Sequence, residues 1–177
     1  MEVQENGFNI KMIRKAKFNE IQEKWDSYKT EFKNAGASSH SWAKGSEIFF
    51  YNHFELVMSR VYLELHQGTM QLWISESEQW PDEVKYLCLS HIQCSQFTRQ
   101  KTLLLFAVTR TADIDEETMN RMWAEAFKGT ASFAVENQCS GMVAYTDLDY
   151  LVDKSKSKGP WSDVVQRNFI YFPLKAT

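Results

Sequence analysis

Polar and apolar positions along the chain change period several times, and each change marks a predicted element. Asn9 to Arg14 alternates in steps of two, as a short strand does. Phe18, Ile21, Trp25, Tyr28 and Phe32 then recur at three- and four-residue steps, an amphipathic helix expected to end near Asn34-Ala-Gly36. Ala37 to Gly45 is small and polar, a loop. Ser46 can cap a second helix whose stripe is Phe50, Phe54, Val57, Val61 and Leu65, and Gly68 closes it.

The middle of the chain reads as strands. Met70 to Ser75 alternates, Glu78 to Asp82 with Pro81 is a turn region, and Val84 to Cys94 alternates again. In that strand Val84, Tyr86, Cys88, Ser90 and Ile92 share one face, and Leu87, Leu89 and His91 share the other. Gln96 to Gln100 turns the chain. Thr102 to Thr109 is apolar throughout, as suits a central strand covered on both faces. Asp113 with Glu116 reads as a capping box. It opens a helix carrying Met119, Met122, Trp123, Ala126, Phe127, Phe133 and Ala134 to about Gln138. Gly129 interrupts that helix at a cost of about 1 kcal/mol relative to Ala. Trp123 is expected as a core anchor, with Trp123→Ala costing about 3–5 kcal/mol. Met142 to Thr146 is a further strand, Asp147 to Val152 a short helix, Ser155 to Gly159 a loop, and Val164 to Leu174 the last strand.

Antiparallel strands followed by a strand–helix–strand crossover predict an α+β fold: a mixed, mostly antiparallel sheet with helices on both faces. With neither internal repeat nor linker, residues 1–177 read as a single domain.

Composition narrows the function classes. Hydrophobic residues are 44% and charged residues 24% of 177, average globular values that argue against disorder. The 6 Trp, 7 Tyr and 12 Phe supply large rings either for a core or for the wall of a ligand groove. A net charge of −3, with no basic block beyond Lys154, Lys156 and Lys158, leaves no footprint for nucleic acid. No run approaches a membrane span, and Met1-Glu-Val-Gln-Glu does not open a signal peptide, so a cytoplasmic protein is expected. Cys88, Cys94 and Cys139 lack the paired spacing of a disulfide framework or a zinc site. Buried reduced thiols and no metal are the expectation.

The element order resembles the GNAT N-acetyltransferase superfamily over nearly the whole chain. Three motifs look like those of GNAT-like proteins from tailed-phage genomes: Gly68-Thr-Met-Gln-Leu-Trp73, Leu103-Leu-Leu-Phe-Ala107, and Ala134-Val-Glu-Asn-Gln-Cys139. The resemblance implies that the pantetheine arm of acetyl-CoA pairs with backbone beside Phe106, Ala107 and Val108, with the strand of Met142 to Thr146 as the other wall. It places the pyrophosphate at the start of the next helix, where free N–H groups and the helix dipole favour an anion. Arg110 matches the basic residue that opens the family's Gln/Arg-x-x-Gly-x-Gly/Ala loop, with Thr111 beside it. Tyr150, just past the strand, matches the tyrosine that protonates the departing thiolate.

Thr109 to Glu117 departs from that loop. It has no glycine, and Asp113, Asp115, Glu116 and Glu117 place four carboxylates where phosphate charge would settle. As helix-capping acids they complement the dipole; as neighbours of a pyrophosphate they repel it, so acetyl-CoA binding is expected to be weak. His91, on the third strand, has an unperturbed pKa of about 6.5 that suits a general base, although a lone strand histidine also serves simply as a hydrogen-bonded core group. Two functions from different classes follow. One is an acyltransferase acting on an amine of a small molecule or a protein. The other is a degenerate GNAT-fold protein that has lost acetyl-CoA and binds a host or virion protein.

Overall fold

The computed structural model describes residues 10–38, 46–77, 86–110 and 116–144. The elements are β1 (Ile10–Lys15), α1 (Phe18–Ser38), α2 (Ser46–Gln67), β2 (Met70–Ser77), β3 (Tyr86–Cys94), β4 (Lys101–Arg110), α3 (Glu116–Glu136) and β5 (Gly141–Ala144). The predicted short helix after Asp147 and the strand from Val164 lie outside the described residues.

The strands form one sheet in the order β1-β2-β3-β4-β5. β1 to β4 pair antiparallel in succession, and β4 pairs with β5 in parallel across the α3 crossover. The sheet is therefore mixed and mostly antiparallel, and the apolar strand β4 runs inside it between β3 and β5.

Alternation along the strands builds two cores. Leu72 and Ile74 of β2 and Leu87 and Leu89 of β3 face α1 and α2, meeting Ile21, Tyr28, Phe32, Met58, Val61 and Leu65. Trp73, Tyr86, Cys88, Leu103 and Leu105 point the other way and meet Met122, Ala126 and Ala134 of α3. Helices thus cover both faces, and each fully buried aliphatic side chain contributes about 1.5–3 kcal/mol. No helix among the described residues is long and apolar enough to cross a membrane.

Three details differ from the sequence expectation. α1 continues to Ser38, past Gly36. On α2, Met58 is wholly buried while Val57 is only partly so, and the helix breaks at His53 (φ −131°, ψ 21°) before the buried stripe begins. On α3 the inward row is Thr118, Met122, Ala126, Thr130 and Ala134, at four-residue steps, and Trp123 and Phe127 flank it half-buried. Threonine fits that row because its hydroxyl can bond its own helix: Thr130 Oγ1 donates to the Ala126 carbonyl at 2.7 Å.

Gly129 has a packing reason. A Cβ there would lie 3.3 Å from the Ile13 carbonyl oxygen and 3.5 Å from the Trp73 ring, so its absence lets α3 approach β1 closely. Both helices that precede a strand end in the same turn. Gly68 (φ 75°) donates to Leu65 O and Thr69 to Glu64 O; Gln138 (φ 61°) donates to Val135 O and Cys139 to Ala134 O. These paired bonds satisfy the last helix carbonyls and reverse the chain into β2 and β5.

Arg14 ties β1 to its neighbours. Its guanidinium forks onto Glu20 at 2.7 and 2.9 Å and reaches Glu76 at 2.5 Å. Glu20 also accepts the Lys17 backbone N–H at 2.7 Å, capping α1.

Candidate functional site

The candidate site is built on the second half of β4. Its register with β3 shifts between Leu89↔Ala107 and Ser90↔Leu105, leaving Phe106 as the extra residue of a bulge. Bulges bend a strand and locally end its regular pairing, and they occur preferentially beside active sites. On the other side, β4 pairs with β5 from Thr102↔Gly141 to Leu105↔Ala144, the last described pair falling immediately before the bulge. Past that point Val108 and Arg110 stay in register with Cys88 and Tyr86 of β3. Among the described residues no strand pairs with β4 beyond Leu105 on its β5 side. α3 starts at Glu116, six residues after Arg110, and its N-terminus follows the same end of β4.

The structure thus places Phe106, Val108 and Arg110 on one stretch of strand next to the β4–β5 junction. Thr111, Thr146 and Tyr150, together with Asp113 and Asp115, lie outside the described residues. His91 lies elsewhere. It sits opposite Met70 on β2 and Leu104 on β4, six residues before Arg110, or about 20 Å along the strand. Its Nδ1 is 3.0 Å from the Thr69 carbonyl oxygen, which can only accept. Nδ1 therefore donates, and in the neutral ring Nε2 keeps its lone pair.

Between Arg110 and α3 the sequence supplies carboxylates and no glycine, a composition that opposes a pyrophosphate there.

Neither the thiols nor the carboxylates of the described residues add a metal centre: no group of three or more His, Cys, Asp or Glu side chains gathers to hold an ion. Only Cys88 is a buried thiol. Cys94 is exposed and Cys139 half-buried, because each ends up at a turn next to a sheet end rather than in the core. Burial pushes the Cys88 thiol up to about 12, so it stays protonated and unreactive, and burial likewise raises the phenol of Tyr86 beside it. One polar network within the α3-side core escaped the sequence reading, although the strand period had already put Ser90 on the face of Tyr86 and Cys88. Trp73 Nε1 donates to Ser90 Oγ at 2.8 Å, and Ser90 donates on to Gln71 Oε1 at 3.2 Å. Gln71 and Ser90 face each other across β2 and β3, and the inward placement of Gln71 could have been read from the same period.

Comparison with solved structures decides the architecture. An aminoglycoside acetyltransferase from an uncultured soil metagenomic sample superposes with a TM-score of 0.61 at 12% identity, covering 92% of this chain and 95% of its own. The chain has the GNAT acetyltransferase fold. A GNAT family acetyltransferase of Staphylococcus aureus matches at a TM-score of 0.57 and 10% identity, covering 92% and 97%. A putative acetyl transferase of Pyrococcus furiosus matches at 0.59 and 13%, covering 92% and 99%. No protein-family model matches the sequence, and no curated protein does either.

Proposed function

We propose that the chain is an acyl-CoA-dependent N-acyltransferase acting on an amine of a small molecule or a protein. The observation that supports it is the β4 bulge at Phe106, which falls where the described parallel pairing with β5 reaches Leu105–Ala144 and just ahead of the α3 N-terminus. In this reading the backbone of Phe106 to Val108 and Thr146 hold the pantetheine arm. Arg110 and Thr111 meet the pyrophosphate, and Tyr150 protonates the departing thiolate. An amine acceptor is in keeping with a structural neighbour described as an aminoglycoside acetyltransferase bound to sisomicin. The tailed-phage look of the three motifs supports a phage-encoded protein working in the host cytoplasm.

A specific observation favours a second reading. The acids at 113, 115, 116 and 117 and the missing glycines oppose a pyrophosphate, as expected of a GNAT-fold protein that has exchanged acetyl-CoA for a host or virion protein partner. Calorimetry with acetyl-CoA, followed by thiol release with a panel of amines, tests the two. Saturable binding with amine-dependent release supports the enzyme; absence of both at millimolar acetyl-CoA sinks it in favour of the partner-binding reading.

A further inference from the structure

At the opposite end of the sheet, where β1 ends, β2 begins and β3 ends, a cavity of about 380 Å³ opens to solvent against α3. That volume lies within the range of small-ligand sites. Lys15, Gln71, His91, Ile92, Phe133 and Asn137 carry its chemistry.

The walls are held in place before any ligand arrives. Gln71 is buried in the floor, where it accepts from Ser90 Oγ and donates Nε2–H to the Gly68 carbonyl at 3.2 Å. Phe133 stands edge-to-face with Trp73, centroids 5.6 Å apart, and Trp73 is itself fixed by Ser90. The Lys15 ammonium lies 5.1 Å over the Phe133 ring. Preorganisation of this kind lowers the entropy cost of binding.

The charge is one-sided. None of these six side chains is acidic, and among the described residues no carboxylate pairs with Lys15. Glu20, Glu64 and Glu76 are otherwise engaged. Glu20 and Glu76 hold Arg14, while Glu64, which lies near His91, binds Arg60 at 2.6 Å and the Thr69 hydroxyl. A single ammonium thus faces a cavity with an apolar wall of Phe133 and Ile92. Two acceptors complete it. The neutral His91 ring presents Nε2 as an acceptor, since Nδ1 donates to Thr69, and Asn137 keeps Oδ1 because its amide N–H goes to the Phe133 carbonyl at 2.8 Å.

We infer that this cavity is a binding site for a small, flat monocarboxylate bearing a hydroxyl: the carboxylate meets Lys15, the ring lies on Phe133 and Ile92, and the hydroxyl donates to His91 Nε2 or Asn137 Oδ1. The site stands apart from the β4–β5 junction and does not depend on acyl transfer. A charge-assisted bond to Lys15 gives the acid its advantage over a neutral analogue.

The probe is 4-hydroxybenzoate, titrated into the full chain and followed by amide chemical shifts, with 4-hydroxybenzamide as the neutral isostere. The acid is expected to bind in the millimolar range or tighter and to shift the amides of Gly68, Thr69, Ile92 and Asn137. The amide is expected to bind about tenfold more weakly, as is the acid to a folded Lys15→Met variant. Equal binding of acid and amide, shifts confined to other surfaces, or no shifts at all would each overturn the site. The isostere comparison needs no mutation, so it stands even if Lys15→Met fails to fold.

Discussion

Trp73 donates its indole N–H to Ser90 Oγ at 2.8 Å across the β2–β3 ladder, inside the core that faces α3. The hydroxyl passes the bond on to Gln71, so three polar groups buried between sheet and helix are satisfied in sequence. Removing the middle member strands the other two. Ser90→Ala is expected to destabilise by about 1–3 kcal/mol, the cost of a buried donor left without a partner. Reversible urea unfolding followed by tryptophan fluorescence measures it, and a loss below about 0.5 kcal/mol would mean water reaches the indole.

Gly129 and Ile13 supply a second test. An alanine in an exposed helix interior normally gains about 1 kcal/mol over glycine. Here the new methyl would meet the Ile13 carbonyl at 3.3 Å, so Gly129→Ala is expected to give no gain. Gly129→Val should cost about 2 kcal/mol as α3 is pushed off β1. Thermal melts of both variants decide it: a clear rise in midpoint for Gly129→Ala would show that β1 yields easily.

Trp123 is half-buried and meets Tyr86 edge-on at 6.0 Å. The sequence alone suggested a loss of about 3–5 kcal/mol on truncation; partial burial lowers the expectation for Trp123→Ala to about 1–3 kcal/mol. A urea titration showing more than about 4 kcal/mol would place the ring deeper than the structure does.

Glu20 sets an acid limit on stability. The forked bond from Arg14 and the Lys17 N–H hold its carboxyl down at about 2, against an ordinary 4.5. A depressed carboxylate stabilises the fold above its unfolded pKa, and that contribution is lost as pH falls through the folded value. The window is therefore between about 4.5 and 2. Glu20→Gln is expected to cost about 1 kcal/mol at pH 7, since solvent screens part of the interaction. The gap to the unaltered protein should close across that window. A gap constant from pH 7 to 2 would mean packing, not charge, makes the difference.

The acids before α3 give a prediction about the acyl donor. Asp113→Asn with Asp115→Asn removes two negative charges from the expected pyrophosphate position and should tighten acetyl-CoA binding about three- to thirtyfold, at about 0.3–1 kcal/mol per charge. Asparagine keeps the capping ability of residue 113. Calorimetry on the double variant reads this directly, and unchanged binding would acquit the acidic segment.

Period and caps made most of the architecture legible in advance. Strict alternation in Val84–Cys94 assigned Leu87 and Leu89 to one face and Tyr86 and Cys88 to the other, as the two cores bear out, because strand geometry leaves no third option. The unbroken apolar run of β4 required partners on both sides, and Gly68 required the helix to stop there. Burial depth along α3 was not legible. Hydrophobicity ranks Trp123 above Thr130, yet the way α3 packs on the sheet puts Thr130 at the interface and Trp123 at its rim. The same packing turned Gly129 from an apparent flaw into a contact surface for Ile13. Register was equally hidden. Only strand pairing reveals that Phe106 bulges and that His91 lies with Leu104 rather than with Arg110, since a residue's type says nothing about which residue on another strand it faces. Local periodicity is written in the chain itself, whereas helix placement and register are settled by how distant segments pack, and the candidate site is made of the latter.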